Sequence, residues 1–117
     1  MPTKTFQVAN YVLNMGYKNG ATWGGVAILI QGYVACNGAD GSRLIVYGLH
    51  PSSPIPPAPV YNVAGNVGAI FVPFSEIDKY VDIVRNEKPV YAYLNSDNPN
   101  WMSLSTSNEP AGEEEGT

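Results

Sequence analysis

Charge is scarce in this chain of 117 residues: Asp, Glu, Lys and Arg together make up 14%, against roughly 25% in ordinary globular proteins. Four of the ten acids, Glu109, Glu113, Glu114 and Glu115, crowd the last nine positions. Removing them leaves six acids against six Lys and Arg, so residues 1–108 are formally neutral. A neutral body has no cationic footprint for a phosphate backbone, which argues against nucleic-acid binding. It also lacks the charge repulsion that keeps proteins apart, so self-association into a homo-oligomer is expected.

Cysteine and histidine are scarcer still. Cys36 stands alone, so no intrachain disulfide forms and packing must hold the fold. It lies in an apolar run with no basic neighbour to activate it, and reads as a small buried hydrophobe. His50 is the single histidine, which rules out any multi-histidine metal site. No apolar run reaches the roughly 20 residues that span a bilayer, and Met1-Pro2-Thr3-Lys4-Thr5 has none of the apolar character of a secretory signal. A cytoplasmic, membrane-free protein is the expectation.

What is present is apolar and amide-rich, with 44% hydrophobic residues, 11% aromatics and 12 glycines. This composition suits one β-rich domain over 1–108, followed by a polar, disordered acidic tail over 109–117. Phe6 to Leu13 reads as a strand, and Asn19-Gly20 and Gly24-Gly25 read as turns or a bulge. Val26 to Ile30, apolar throughout, is expected to be a central strand buried on both sides. Asn37 to Ser42 is a hairpin connection into a strand over Leu44 to Leu49. Residues 51–59 contain five prolines and cannot enter a sheet.

Val67 to Phe74 reads as a second apolar strand. A helix is predicted over about 75–86, with Ser75 as N-cap and Asp78 three residues on. Ile77, Tyr80, Val81 and Val84 fall at i, i+3, i+4 and i+7, with Glu76, Asp78, Lys79, Asp82 and Arg85 opposite and Ile83 breaking the pattern. The fold class expected is α+β: a mostly antiparallel sheet with this helix packed on one face. The helix would cross over to set Val67–Val72 parallel to Val90–Leu94. The competing reading makes Tyr80–Arg85 a strand in an immunoglobulin-like β-sandwich. The last strands expected are Val90–Leu94 and Trp101–Thr106.

No nucleophile elbow, phosphate loop or dinucleotide fingerprint is present. The function expected is therefore a non-enzymatic binding or assembly module without cofactor or metal. Its candidate ligand-binding residues are Tyr91, Tyr93, Trp101, Asn95 and Asp97. If Tyr93 stands opposite Ser103, both tyrosines share a face with Trp101 and the serines, beside an Asn-rich loop; a slip by one residue sets the tyrosines with Met102 and Leu104 instead. Such an aromatic and amide-rich surface suits a neutral ligand or glycan, giving a lectin-like, carbohydrate-binding alternative. A second alternative is a small hydrolase-type enzyme relying on His50.

Overall fold

In the computed structural model of the chain, residues 3–23, 26–52, 59–87 and 89–106 are described. They form one seven-stranded sheet with one helix, mostly strand and not a closed barrel. The strands are β1 (Thr3–Trp23), β2 (Val26–Gly38), β3 (Arg43–Leu49), β4 (Val60–Asn62), β5 (Val67–Pro73), β6 (Val90–Asn95) and β7 (Ser103–Thr106); helix α1 is Ile77–Asn86. Their order is β4-β5-β3-β2-β1-β6-β7. Only β3 and β5 run parallel; every other neighbouring pair is antiparallel. No described helix is long and apolar enough to cross a membrane.

The predicted hairpin over 37–42 is present. Gly38 N–H donates to Ser42 O at 2.8 Å, and Gly41 takes φ 88°, a left-handed conformation that glycine adopts without a Cβ clash. This turn pairs Asn37 with Arg43 and so fixes every later pair of β2 with β3 up to Gly32 and Gly48. Alternate side chains then separate cleanly. Val34 and Cys36 of β2 and Leu44 and Val46 of β3 point inward, all at 0% exposure. Each such aliphatic chain contributes roughly 1.5–3 kcal/mol of gross transfer energy.

Gly32 and Gly48 stand opposite each other and form a notch in the inner face. The Phe74 ring occupies it: an ideal Cβ on Gly32 would lie 2.9 Å from Phe74 Cε1, and one on Gly48 2.9 Å from Phe74 Cδ1 and 3.2 Å from Ile77 Cδ1. Ile77 and Val84 are buried in the same core, with Tyr80, Val81 and Ile83 partly buried against it. The inward stripe is thus the one periodicity predicts, widened by Ile83.

Leu94 of β6 comes against Gly68 of β5, where an ideal Cβ would sit 2.7 Å from Leu94 Cδ2. Three strands lie between β5 and β6 in hydrogen-bonding order, so the sheet curls until inner side chains from distant strands meet.

Several expectations are corrected. The first strand runs to Trp23 rather than Leu13, and Asn19-Gly20 falls inside it. The pairing with β2 shifts register between Met15 and Asn19, just before that turn-prone pair. Val26–Ile30 is not buried on both sides: Ile28 is 1% exposed, but Ala27 is exposed. The central core lies further along β2, at Val34 and Cys36. Residues 80–85 are helix, so the strand needed by the sandwich reading is absent.

Strands β5 and β6 are not parallel neighbours; α1 carries the chain past β3 and β2 to the other side of β1, where β6 runs opposite to β5. Ser75 does not cap α1. It sits within a 3₁₀ turn over Phe74–Glu76, and Glu76 takes the N-cap position without a side-chain capping bond. The last strand starts at Ser103, because Pro99–Trp101 forms a 3₁₀ turn. Strand β4 was not anticipated from its three residues. Gly24-Gly25, the prolines of 53–58 and the acidic tail over 109–117 lie outside the described residues.

Candidate functional site

Of the two registers open to the last hairpin, the structure has the one in which Tyr93 faces Ser103 and Tyr91 faces Ser105. On their other side, Thr5 stands opposite Tyr93 and Gln7 opposite Tyr91. Both tyrosines are half-buried. Trp101 is 64% exposed but sits in the 3₁₀ turn before β7 rather than in the strand. Among the described residues these three rings make no ring contact with one another; the ring pairs are elsewhere.

Asn95 has a structural task. At 4% exposure, its Nδ2 donates to Tyr93 Oη at 3.0 Å, and its Oδ1 accepts the backbone N–H groups of Asp97 and Asn98, each at 2.9 Å. Its amide is spent on holding the loop and aiming Tyr93. Asp97 is exposed beside it. No three His, Cys, Asp or Glu side chains among the described residues lie close enough to hold a metal ion.

His50 ends β3. Its N–H donates to Leu29 O at 2.9 Å, its Nδ1 accepts the Ser52 N–H at 3.0 Å, and Ser52 Oγ lies 2.7 Å from the same nitrogen. The hydroxyl and imidazole are within proton-transfer distance. The ring's one lone pair on that side is nevertheless engaged by a backbone amide two residues on, as in a turn cap.

A second surface, not singled out by the sequence reading, is built on the outward side of β1, β2, β3 and β5. Register places residues from these strands in three cross-strand rows. The first is polar: Val67, Arg43, Asn37 and Asn10. Arg43 Nε donates to Asn37 Oδ1 at 2.8 Å, and Asn37 Nδ2 donates to Asn10 Oδ1 at 3.0 Å. The second is aliphatic: Ala69, Ile45, Ala35 and Val12. The third is aromatic: Phe71, Tyr47 and Tyr33, ending on Asn14.

Tyr47 and Phe71 stack with centroids 5.4 Å apart at 15°, and Tyr33 leans against Tyr47 at 6.0 Å and 59°. Between the walls the two alanines form a floor, only 6% exposed at Ala35 and 3% at Ala69. A trough of about 340 Å³ results, lined by Val12, Tyr33, Ala35, Asn37, Arg43, Ile45 and Tyr47.

The electrostatics of the trough are simple. Burial raises the Tyr47 phenol above its usual range, Tyr33 adds to this, and the Arg43 cation opposes it; the phenol therefore keeps its proton at neutral pH. Arg43 pairs with no carboxylate among the described residues. Its Nε is committed to Asn37, which fixes the guanidinium plane at the rim and leaves a localised positive charge there. The alternations Tyr33-Ala35-Asn37 and Arg43-Ile45-Tyr47, joined by a hairpin of fixed register, are the sequence signal that identifies this surface. No family model, curated protein or solved structure matches the chain.

Proposed function

We propose that this chain is a non-enzymatic binding and assembly module, one domain over residues 1–108 with α1 covering the inner face of the sheet and the outer-face trough as its working surface. The observation that carries this reading is the three-row organisation itself. A scattered set of surface aromatics needs no explanation, but an aromatic wall, an alanine floor and a hydrogen-bonded amide and guanidinium wall form a concave, chemically divided site. Sites for small molecules combine a mostly apolar lining with a few placed polar groups in this way, at volumes from about 300 Å³ upward.

The ligand class it suits best is a sugar ring. The CH groups of a pyranose pack against the aromatic wall at Tyr33 and Tyr47, and its hydroxyls, or a ring carboxylate, meet Asn37 and Arg43. The commitment of His50 to its own turn weighs against a hydrolase. The test is a glycan array run with wild-type chain, Tyr47→Ala and Tyr93→Ala, with thermal melts to verify folding. Binding abolished by Tyr47→Ala and retained by Tyr93→Ala is expected. Silence across the array removes the glycan reading.

The opposite pattern, loss with Tyr93→Ala alone, moves the site to Tyr91, Tyr93 and Trp101. That second surface is favoured by one observation, the Tyr93–Ser103 register that sets both tyrosines among hydroxyl side chains.

A further inference from the structure

Strand β1 changes partners along its length. Thr3–Gln7 pairs with β6, whereas Val8–Trp23 pairs only with β2. From Val8 onward one edge of β1 therefore carries no strand among the described residues. An open edge presents N–H and C=O groups at the spacing another strand requires. Monomeric proteins guard such edges with charge, proline or a local bulge. Here register shifts lie at either end, between Val8 and Asn10 and between Met15 and Asn19, and Asn10–Met15 between them pairs regularly with β2.

Asn10 and Tyr11, at the start of that regular stretch, share a cleft with Val84, Arg85, Asn86 and Glu87 at the end of α1, and Val12–Met15 lies beyond that cleft among the described residues. The stretch has no charged residue and no proline. Its apolar side chains stand open: Tyr11 is 36% exposed, Val12 50%, Leu13 38% and Met15 39%.

The pattern also says what covers it. Asn10-Tyr11-Val12-Leu13-Asn14 is nearly palindromic in chemistry. Antiparallel pairing of two copies about Val12 sets Val12 against Val12, Tyr11 against Leu13 and Asn10 against Asn14. Tyr11 and Leu13 share one face of the strand, so that face becomes apolar on both sides of the axis. On the other face Asn10 and Asn14 are matched as amide to amide, each offering both donor and acceptor. A single stretch that is neutral, apolar and complementary to its own reverse fits a second copy of itself.

We propose that two copies of this chain associate through the open edge of β1, antiparallel about Val12, so that each seven-stranded sheet continues into the other. The proposal rests on the reading that the chain self-associates, and it names the surface. It has a consequence for the trough. Val12 closes one end of it, so each trough abuts its symmetry mate at the two-fold axis, and the aromatic row of one copy runs through Asn14 into the amide row of the next. One strand pair is small beside the roughly 1,200–2,000 Å² of a stable interface, so the dimer is concentration-dependent.

The test is sedimentation velocity on the full chain over a range from low micromolar to near-millimolar concentration. Wild type is expected to shift from monomer to dimer across it. Val12→Lys and Val12→Asp, each placing like charges across the axis, should weaken the dimer on the order of tenfold or more. An equimolar mixture of the two should restore it as a heterodimer.

A wild type that stays monomeric throughout overturns both this proposal and the self-association it rests on. Dimerisation unchanged in both folded variants overturns the edge while leaving self-association standing. A mixture that fails to recover overturns the register about Val12. Independently of any variant, amide exchange at residues 10–14 of wild type should slow as concentration rises; constant exchange in a sample that dimerises refutes the edge.

Discussion

Replacing Gly48 by Ala tests how the helix meets the sheet, because two effects of opposite sign meet at one methyl group. In a strand interior, exchanging Gly for Ala ordinarily stabilises by roughly 0.5–1 kcal/mol, since Ala loses less backbone freedom on folding. At Gly48 the new Cβ would lie 2.9 Å from Phe74 Cδ1 and 3.2 Å from both Phe74 Cα and Ile77 Cδ1. A ring can tilt, but the Phe74 backbone cannot move without shifting the start of the helical segment. Overpacking of this kind costs about 1–3 kcal/mol, enough to reverse the sign.

For a chain of this length, about 4 °C of melting temperature accompanies each kcal/mol; the net loss of about 0.5–2 kcal/mol predicts a fall of about 2–8 °C, with an unchanged urea m-value. Gly65→Ala is the control. Its Cβ would meet only the Asn62 amide at 3.7–3.9 Å, ordinary contact distance, and stability should stay within about 0.5 kcal/mol of wild type. Phe74→Leu combined with Gly48→Ala should lose less than the sum of the two, with a coupling of about 1 kcal/mol. If Gly48→Ala proves as stable as wild type, or the cycle is additive, the notch does not seat the ring.

Two pH-dependent outcomes follow from the buried thiol and from the turn between β2 and β3. Burial pushes Cys36 from 9.0 up to about 12, so the native chain should resist a thiol reagent at pH 8 and react only as urea opens it; immediate labelling would contradict its burial. Because this pKa is raised on folding, the associated stability is complete below about pH 9 and declines as pH climbs towards about 12, which urea midpoints across that range would register. Asp40 shifts the other way, to about 2, held down first by its bond to Lys4 at 2.6 Å and then by the Ser42 amide at 3.1 Å. Its stabilisation is present above its unfolded value of 3.8 and disappears as pH falls through about 2; Asp40→Asn should flatten the acid limb of the stability profile, and an identical limb in both proteins would dismiss the pair.

Local periodicity carried the sequence reading where the decisive contacts were local. Ile77, Tyr80, Val81 and Val84 repeat at helical spacing, and no distant strand was needed to see it. The hairpin at 37–42 was equally legible, because Asn, Gly and Asp accept the backbone angles it needs. Failure came where partners lie far apart in sequence. Asn19-Gly20 carries a turn signature, but the long ribbon with β2 continues through it, just past a register shift, and pairing outweighs local preference. Residues 80–85 pass for strand or helix by composition, and only tertiary packing settles which. The parallel pairing of β5 with β3 brings Phe71 onto Tyr47, and no short-range pattern announces it. Tyr33 and Tyr47 were within reach, since the hairpin alone places them opposite each other; attention to Tyr91, Tyr93 and Trp101 rested on the same alternation applied to a later hairpin.

One-sided construction explains why outward residues are the ones left to act. The inner face is consumed by Phe74, Ile77, Leu94 and Met102, which fill it against Leu44, Val46 and the glycine notch. On the outward side the rows from Asn10 to Phe71 form the trough, and among the described residues no strand pairs with the outer edge of β1 at Asn10–Met15. Val12 belongs to both, as a wall of the trough and as the pivot of strand pairing. Two equilibria that share a residue are thermodynamically linked: whatever factor dimerisation contributes to ligand affinity, the ligand contributes equally to dimerisation. If Val12 packs differently in monomer and dimer, a glycan that contacts it binds with an apparent affinity that varies with protein concentration and moves the sedimentation midpoint by the same factor. Affinity constant from dilute to concentrated protein would place the trough and the β1 edge on separate energetic footings, with Val12 packing identically in monomer and dimer.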